Sequence, residues 1–362
     1  MSEPRLKLTA YFGERQRAVH AAAGREFLAD VLLNLFGDRE VATSVLLRGI
    51  ASFGPHHVLR TDESLTLSED PPVVVAAVDA EWKINGLVDD VLSVTGRGLV
   101  TLERAQQARD DVVVASADDS DAVKQLTVYV GRQDRMAGRP AYRAVCDLLH
   151  RHEFAGATVF LGVDGTARGQ RCHAHFFSRN VNVPVMIISI GTAAQVRAAA
   201  AELSAAIPDP LLTVERVRVC KRDGELLARP HSLPTTDDQG RPLWQKVMVH
   251  SSEATGQWRT HSSRTRPTAA AVGRVRGATV LRGVWGFHGD HEPHGDKFFR
   301  LARGVPVVTI IVDTPDSMAH TFDVVHQLTA EHGLVTCEMV PAVVSLDGSD
   351  RRGDTPLAQH DY

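Results

Sequence analysis

The stretch GFHGDHEPHGD, from Gly286 to Asp296, carries His288, His291 and His294 at a constant spacing, interleaved with Asp290 and Asp296. Imidazole and carboxylate donors suit zinc, copper or nickel. These three histidines are therefore one candidate metal site, although a spacing of three in a loop fixes no geometry. Solvent-facing histidines are the plainer reading. Two other stretches hold histidine, His56 with His57 and His173 with His175. They do not align with the first: the residue 113 positions after His56 is Gly169. Three equivalent metal sites are excluded.

A second chemistry is anion binding. Gly49, Gly162 and Gly283 each close a short apolar stretch (SVLLRG, ATVFLG, ATVLRG). Glycine there permits close backbone approach, and exposed N–H groups can cradle an anion. Arg48 and Arg282 precede two of the glycines and are suited to bidentate pairing with phosphate or carboxylate. The middle copy has Leu161 in that place and Asp164 shortly after, so its cleft is expected to bind anions less well. Phe53, Gly54, Gly165, Gly286 and Phe287 complete the candidate effector-binding set. The alternative is that the glycines serve a turn and nothing else.

No motif for nucleophilic catalysis stands out: there is no GxSxG, no P-loop lysine and no HExxH. No acid–base pair repeats across the copies, and an enzyme is not expected. Cys146, Cys220 and Cys337 fall on apolar elements and read as core, whereas Cys172, beside His173, is the thiol expected to be accessible. Without a CxxC pair, neither a disulfide framework nor a closed zinc site is expected, and a cytoplasmic location fits. A net charge of −4 gives no global attraction to nucleic acid. No apolar run approaches the ~20 residues of a membrane span.

The elements that must hold these residues come in three copies. GATVFLGVDG, from Gly156, and GATVLRGVWG, from Gly277, agree at seven of ten positions. DPPVVVAAVDA, NVPVMIISIGT and GVPVVTIIVDT are a second set of landmarks, and GLVTLE, LLTVE and GLVTCE a third. The offset from the first copy to the second is 113 at the glycine (Gly49 to Gly162) and 112 at the proline (Pro72 to Pro184). Each copy reads as strand, helix, strand, long polar loop, strand, helix, strand. The third strand is apolar throughout, which implies burial on both faces. Asp79, Thr192 and Thr314 are the N-cap candidates of the second helices, with Pro315 at a first helical position. The order β-α-β-β-α-β is the split-βαβ, ferredoxin-like unit. The fold class is therefore α+β, with three such domains at 1–112, 121–222 and 243–348, packed round a pseudo-threefold axis. Residues 349–362 read as a disordered tail. Residues 109–121 and 223–242 read as polar connectors.

The pattern LTAYFGE, LLRGIASFG, LSEDPPVVVAAVD, GLVTLE resembles domain-of-unknown-function family 190, within the PII-like superfamily of trimeric signalling proteins. The other two copies resemble it more loosely. The resemblance implies that this chain is a PII-like trimer fused into one polypeptide, a monomer with internal pseudo-threefold symmetry. It implies ligand clefts between neighbouring domains and T-loop-like segments between the second and third strands, with GFHGD resembling the start of such a loop. The expected role is that of a sensor: a small anionic effector, an adenine nucleotide being the leading candidate, binds between domains. The loops then engage a partner protein such as a membrane transporter or channel. The alternative function is divalent-metal binding, as in the divalent-cation-tolerance trimers that share this architecture.

Overall fold

A computed structural model describes residues 4–19, 26–53, 60–61, 70–108, 122–173, 182–208, 210–252, 277–289, 292–295 and 305–361. Gly54, His56, His57, His175, His291 and the connector 109–121 lie outside the described residues. The architecture is α+β, dominated by antiparallel strands that join edge to edge into one curled sheet.

The first unit comprises β1 (Pro4–Gly13), α1 (Leu28–Asp38), β2 (Thr43–Phe53), β3 (Arg60–Thr61), β4 (Pro72–Ala80), α2 (Glu81–Asn85), α3 (Val88–Val94) and β5 (Arg97–Gln107). The second comprises β6 (Val123–Gly131), a small hairpin β7–β8 (Arg135–Met136, Arg139–Pro140), α4 (Ala141–Arg151), β9 (Gly156–Leu161), β10 (Asp164–Ala167), β11 (Gln170–His173), β12 (Pro184–Thr192), α5 (Ala193–Ala206) and β13 (Leu211–Arg216). It is followed by β14 (Arg218–Arg222) and β15 (Glu225–Leu226). The third comprises β16 (Trp244–Ser252), β17 (Ala278–Arg282), β18 (Trp285–His288), β19 (His294–Gly295), β20 (Pro306–Asp313), α6 (Pro315–Leu328) and β21 (Leu334–Val340), followed by β22 (Ala342–Asp347) and β23 (Asp350–Asp354).

Within each unit the main strands pair in one order. It runs β5–β1–β4–β2 in the first unit, β13–β6–β12–β9 in the second and β21–β16–β20–β17 in the third. The apolar third strands explain why the sheets are covered twice. In β4, Val73, Val75 and Ala77 face the helices of their own unit, while Val74, Ala76 and Val78 turn to the other side. There they meet Met186 and Ile188 of β12, Val308, Ile310 and Val312 of β20, and Phe160, Met248 and Trp244 in a core shared by all three units. Each fully buried aliphatic or aromatic side chain contributes about 1.5–3 kcal/mol, so a unit deprived of its neighbours would expose one face of its sheet.

Helix starts follow local chemistry. Thr192 caps α5 in a capping box: its Oγ1 accepts from Gln195 N at 3.2 Å, and Gln195 Oε1 accepts from Thr192 N at 2.8 Å. Thr314 is the N-cap of α6 with Pro315 behind it, but its side chain makes no capping bond. Asp79 is not the N-cap of α2; Ala80 is. The Asp79 carboxylate instead accepts from Ala42 N at 2.8 Å and pairs with Arg5, tying the end of β4 to the entry of β2.

Two segments differ from expectation. Residues 349–361 are ordered: β23 pairs with β22, and Ala358, fully buried, donates its N–H to Pro341 O at 2.8 Å. The segment 223–242 is not a loose connector either. Buried Asp237 accepts from Arg241 N, Gln239 N and Gln359 N, clasping this segment to the C-terminal one. Their polar composition hid a structure held by backbone pairing and one carboxylate, neither of which leaves a hydrophobic periodicity.

The units are joined by a cyclic exchange of strands. Past its glycine, the second strand of each unit runs onto the second strand of a neighbour. The first unit's β2 pairs with β17 of the third, β18 of the third with β9 of the second, and β10 of the second with β2 of the first. The register is the same each time: Phe53 lies opposite Ala278, Phe287 opposite Ala157 and Thr166 opposite Ser44. On the other edge β5 pairs with β13, β14 with β21 and β22 with β5, so the chain closes on itself in the opposite sense.

Candidate functional site

The crossover assigns the glycines a physical task. A Cβ on Gly162 would lie 2.3 Å from Pro184 O, and one on Gly283 would lie 2.7 Å from Thr158 Cγ2 and 2.9 Å from Pro306 Cγ. On Gly49 it would meet Pro72 Cγ at 2.9 Å and Val280 O at 3.0 Å. Each glycine thus marks the point where a strand squeezes between its own unit's proline and the neighbour. Gly165 and Gly286 face the neighbour's backbone directly, with 2.1 Å from a Cβ to Ser44 O and 2.3 Å to Ala157 O. Four residues beyond the crossover glycine stands an anchor. Phe287 is buried in the helix-side core of the second unit, its ring edge-on to His150 at 5.1 Å, and Phe53 packs partly against the corresponding core of the third. In the second unit the anchor is Thr166, which donates to Val41 O at 3.0 Å.

The two arginines sit in different units, on β2 and β17. Arg48 is exposed and pairs with Glu14, its Nε 2.7 Å from Oε1. Arg282 closes β17 opposite Val307. Cys172 is half-buried, and burial pushes its thiol up from its ordinary pKa. The other three cysteines are buried, as their apolar surroundings implied.

At one seam the described residues line a cavity. Between the second and third units a space of about 20 Å³ is lined by Gly156, Ala157 and Thr158 on one side and by His250, Ser251, Gly286, Phe287, His288 and His294 on the other. It gathers two residues expected to bind an effector and two expected to bind a metal. It also adds His250, which the sequence reading passed over although Tyr11 and Tyr129 hold the equivalent place in the other units. His250 is 8% exposed, and burial with His288 nearby pushes its pKa down to about 4, so it is a neutral imidazole at pH 7. Its Nε2 and the Ser251 Oγ have no hydrogen-bond partner among the described residues. His294 Nδ1 donates to Glu292 O at 3.0 Å, which leaves the lone pair of the neutral ring on Nε2.

The corresponding seam between the first and second units is bridged by side chains. Thr166 and Ser44 share a 3.0 Å hydroxyl hydrogen bond, and Asp164 pairs with Arg171 at 3.1 Å, which reaches across to Asn34.

A second constellation lies among the fourth strands of the three units. Glu103, Glu215 and Glu338 place carboxylate oxygens within 4.8 Å of one another. Lys7 Nζ stands 2.7 Å from both Glu103 Oε2 and Glu215 Oε2; Lys246 Nζ stands 2.6 Å from Glu103 Oε2 and 2.7 Å from Glu338 Oε1. The cations of this cluster are its own two ammonium groups. A lysine–glutamate ion pair therefore recurs in the first and third units, with Gln125 in the lysine's place in the second. Its signal was the glutamate ending GLVTLE, LLTVE and GLVTCE, set against the second residue of LKLTAYF and QKVMVHS.

Among the described residues no helix is long and apolar enough to cross a membrane. A family model described as Uncharacterized ACR matches residues 5–107, 123–219 and 268–342, most of the chain. Among solved structures, one similarity is to CrmK, a flavoenzyme involved in the shunt product recycling mechanism in caerulomycin biosynthesis. It has 12% identity over 80% of this chain and 55% of that one, with a TM-score of 0.19. A similarity that low carries no argument about fold or activity.

Proposed function

Because the chain belongs to domain-of-unknown-function family 190 and carries that domain three times, we propose that it is a PII-like sensor: three ferredoxin-like units folded as an intramolecular trimer. It takes a small anionic effector, an adenine nucleotide by preference, in a cleft between neighbouring units, outside the water-sized cavity at the seam of the second and third. The observation that supports this most is the cyclic strand exchange. It seats the base of each polar loop on the sheet of a neighbouring unit, so anything bound at a seam touches two units and the root of a loop at once. A ligand with different contacts to the ordered and disordered loop then biases loop order, and the loop engages a partner protein.

A second reading, a divalent-metal site at the seam of the second and third units, is favoured by one observation: His250, His288 and His294 line the same cavity, with His250 held neutral. Neutral imidazole is the ligating form.

Thermal unfolding separates the two. For the sensor, AMP, ADP, ATP or a cyclic nucleotide raises Tm, and Arg282→Ala removes the shift. For the metal site, zinc raises Tm, and His250→Gln removes the shift while leaving any nucleotide response intact. No shift with any of these ligands would sink both.

A further inference from the structure

Lys7, Gln125 and Lys246 occupy one equivalent place in the first strands of the three units, each opposite its own unit's glutamate: Glu103, Glu215 and Glu338. Each lysine bridges from its own glutamate to that of another unit. Lys7 links Glu103 to Glu215, and Lys246 links Glu338 to Glu103. By the same rule a lysine at position 125 would link Glu215 to Glu338. Gln125 makes half of that link, its Nε2 donating to Glu215 Oε2 at 2.8 Å. Gln125 Oε1 and Glu215 Oε1 have no partner among the described residues, and neither do the neighbouring Thr127, Thr213 and Tyr129 hydroxyls. The under-bonded side of the ring is the side that lacks the lysine.

The charges do not balance. Three carboxylates face two ammonium groups, and all six residues of the ring are less than a tenth exposed. Glu103 touches both lysines, whereas Glu338 touches Lys246 alone. An uncompensated charge at such a depth is costly, and the usual remedy is to bind a proton.

We propose that this ring is a one-proton site, in which a proton held by Glu338, on the side facing Gln125 and Glu215, takes the place of the ammonium missing at position 125. The proton comes from solvent and returns to it; no other bond changes. Burial, with the Glu215 and Glu103 charges, pushes Glu338 up to about 7, against the pull of Lys246 and Lys7. Those same lysines hold Glu103 down to about 2. Tyr11 and Tyr129, the other titratable groups facing the ring, are pushed up by burial and stay protonated. Loss of the proton leaves two carboxylates opposed across the join of the second and third units, the join that also carries the seam cavity. The site therefore makes the contact between these two units responsive to pH, whatever ligand the seam takes.

The sign follows from the raised value. A carboxyl whose folded pKa exceeds its unfolded 4.5 contributes stability that is fully present below that value and is lost as pH rises to about 7. Tm is measured from about pH 5 to 8 for the wild type, Glu338→Gln and Gln125→Lys. The glutamine mimics the protonated acid; the lysine completes the ring. For both variants, Tm relative to wild type rises with pH across this range. Infrared spectra at about pH 5.5 show a buried protonated carboxyl in the wild type that is missing from both variants. Flat differences for both variants overturn the proposal, as does a carboxyl band that persists in Glu338→Gln. So does a divalent cation whose binding, followed by calorimetry, is abolished by Glu338→Gln. Should Gln125→Lys not fold, Glu338→Gln decides alone.

Discussion

Two seams of this molecule are built on one plan and finished differently. Where the second unit crosses onto the first, the register places Thr166 opposite Ser44, and hydroxyl hydrogen bonds with the Asp164–Arg171 pair bridge the crossover. Where the third crosses onto the second, the same register places Phe287 opposite Ala157, and a cavity lined by three histidines remains beside it. In three identical chains every seam must be the same. One chain that encodes all three is free to seal one seam and keep another open. The lesson is that the strand crossover is architecture, and that the residues around it are where the copies specialise.

The sharpest way to break this comparison is to remove the anchors. Phe287→Ala deletes a ring buried in the second unit's core and is expected to cost about 3–5 kcal/mol in urea unfolding. Thr166→Ala removes hydroxyl hydrogen bonds and is expected to cost about 1–2 kcal/mol. Equal losses would mean the two seams are not held by different forces.

A pH-dependent effect, smaller than that of Phe287→Ala, tests the open seam's electrostatics. His250 titrates at about 4 in the folded chain against 6.5 when unfolded, so it contributes stability that is present above 6.5 and lost as pH falls through 4. At full amplitude this is up to about 3 kcal/mol. His250→Gln is expected to flatten that part of the acid limb of a stability–pH curve. The ring resonances followed by NMR should titrate well below those of exposed histidines. A His250 that titrates near its ordinary value would remove the neutral imidazole from the seam.

The smallest effect belongs to Arg48. Its pair with Glu14 is exposed, and Arg48→Ala should change stability by less than about 1 kcal/mol. A larger loss would mean that the exposed rim of the crossover contributes to holding the units together.

Much of this was legible in the chain. The repeated Leu-Arg-Gly with a phenylalanine four residues on marked the crossovers, and the all-apolar third strands announced sheets buried on both faces. The motif alone does not say what approaches it, because close backbone approach looks the same in sequence whether the visitor is a phosphate or a neighbouring strand. His250 was passed over because it sits in a strand, with no loop composition to mark it. The order of residues 349–361 is not legible because a polar hairpin strand has the composition of a solvated tail.

By itself the sequence determined the number of copies, the order of their main strands and which strands lie deepest, since hydrophobic period and repetition are local properties. Only the tertiary structure decided what the glycines approach, which seam stays open and how three distant glutamates meet two lysines. Those are contacts between residues up to hundreds of positions apart, and a linear spacing holds no record of which units become neighbours or of what a buried charge must find there.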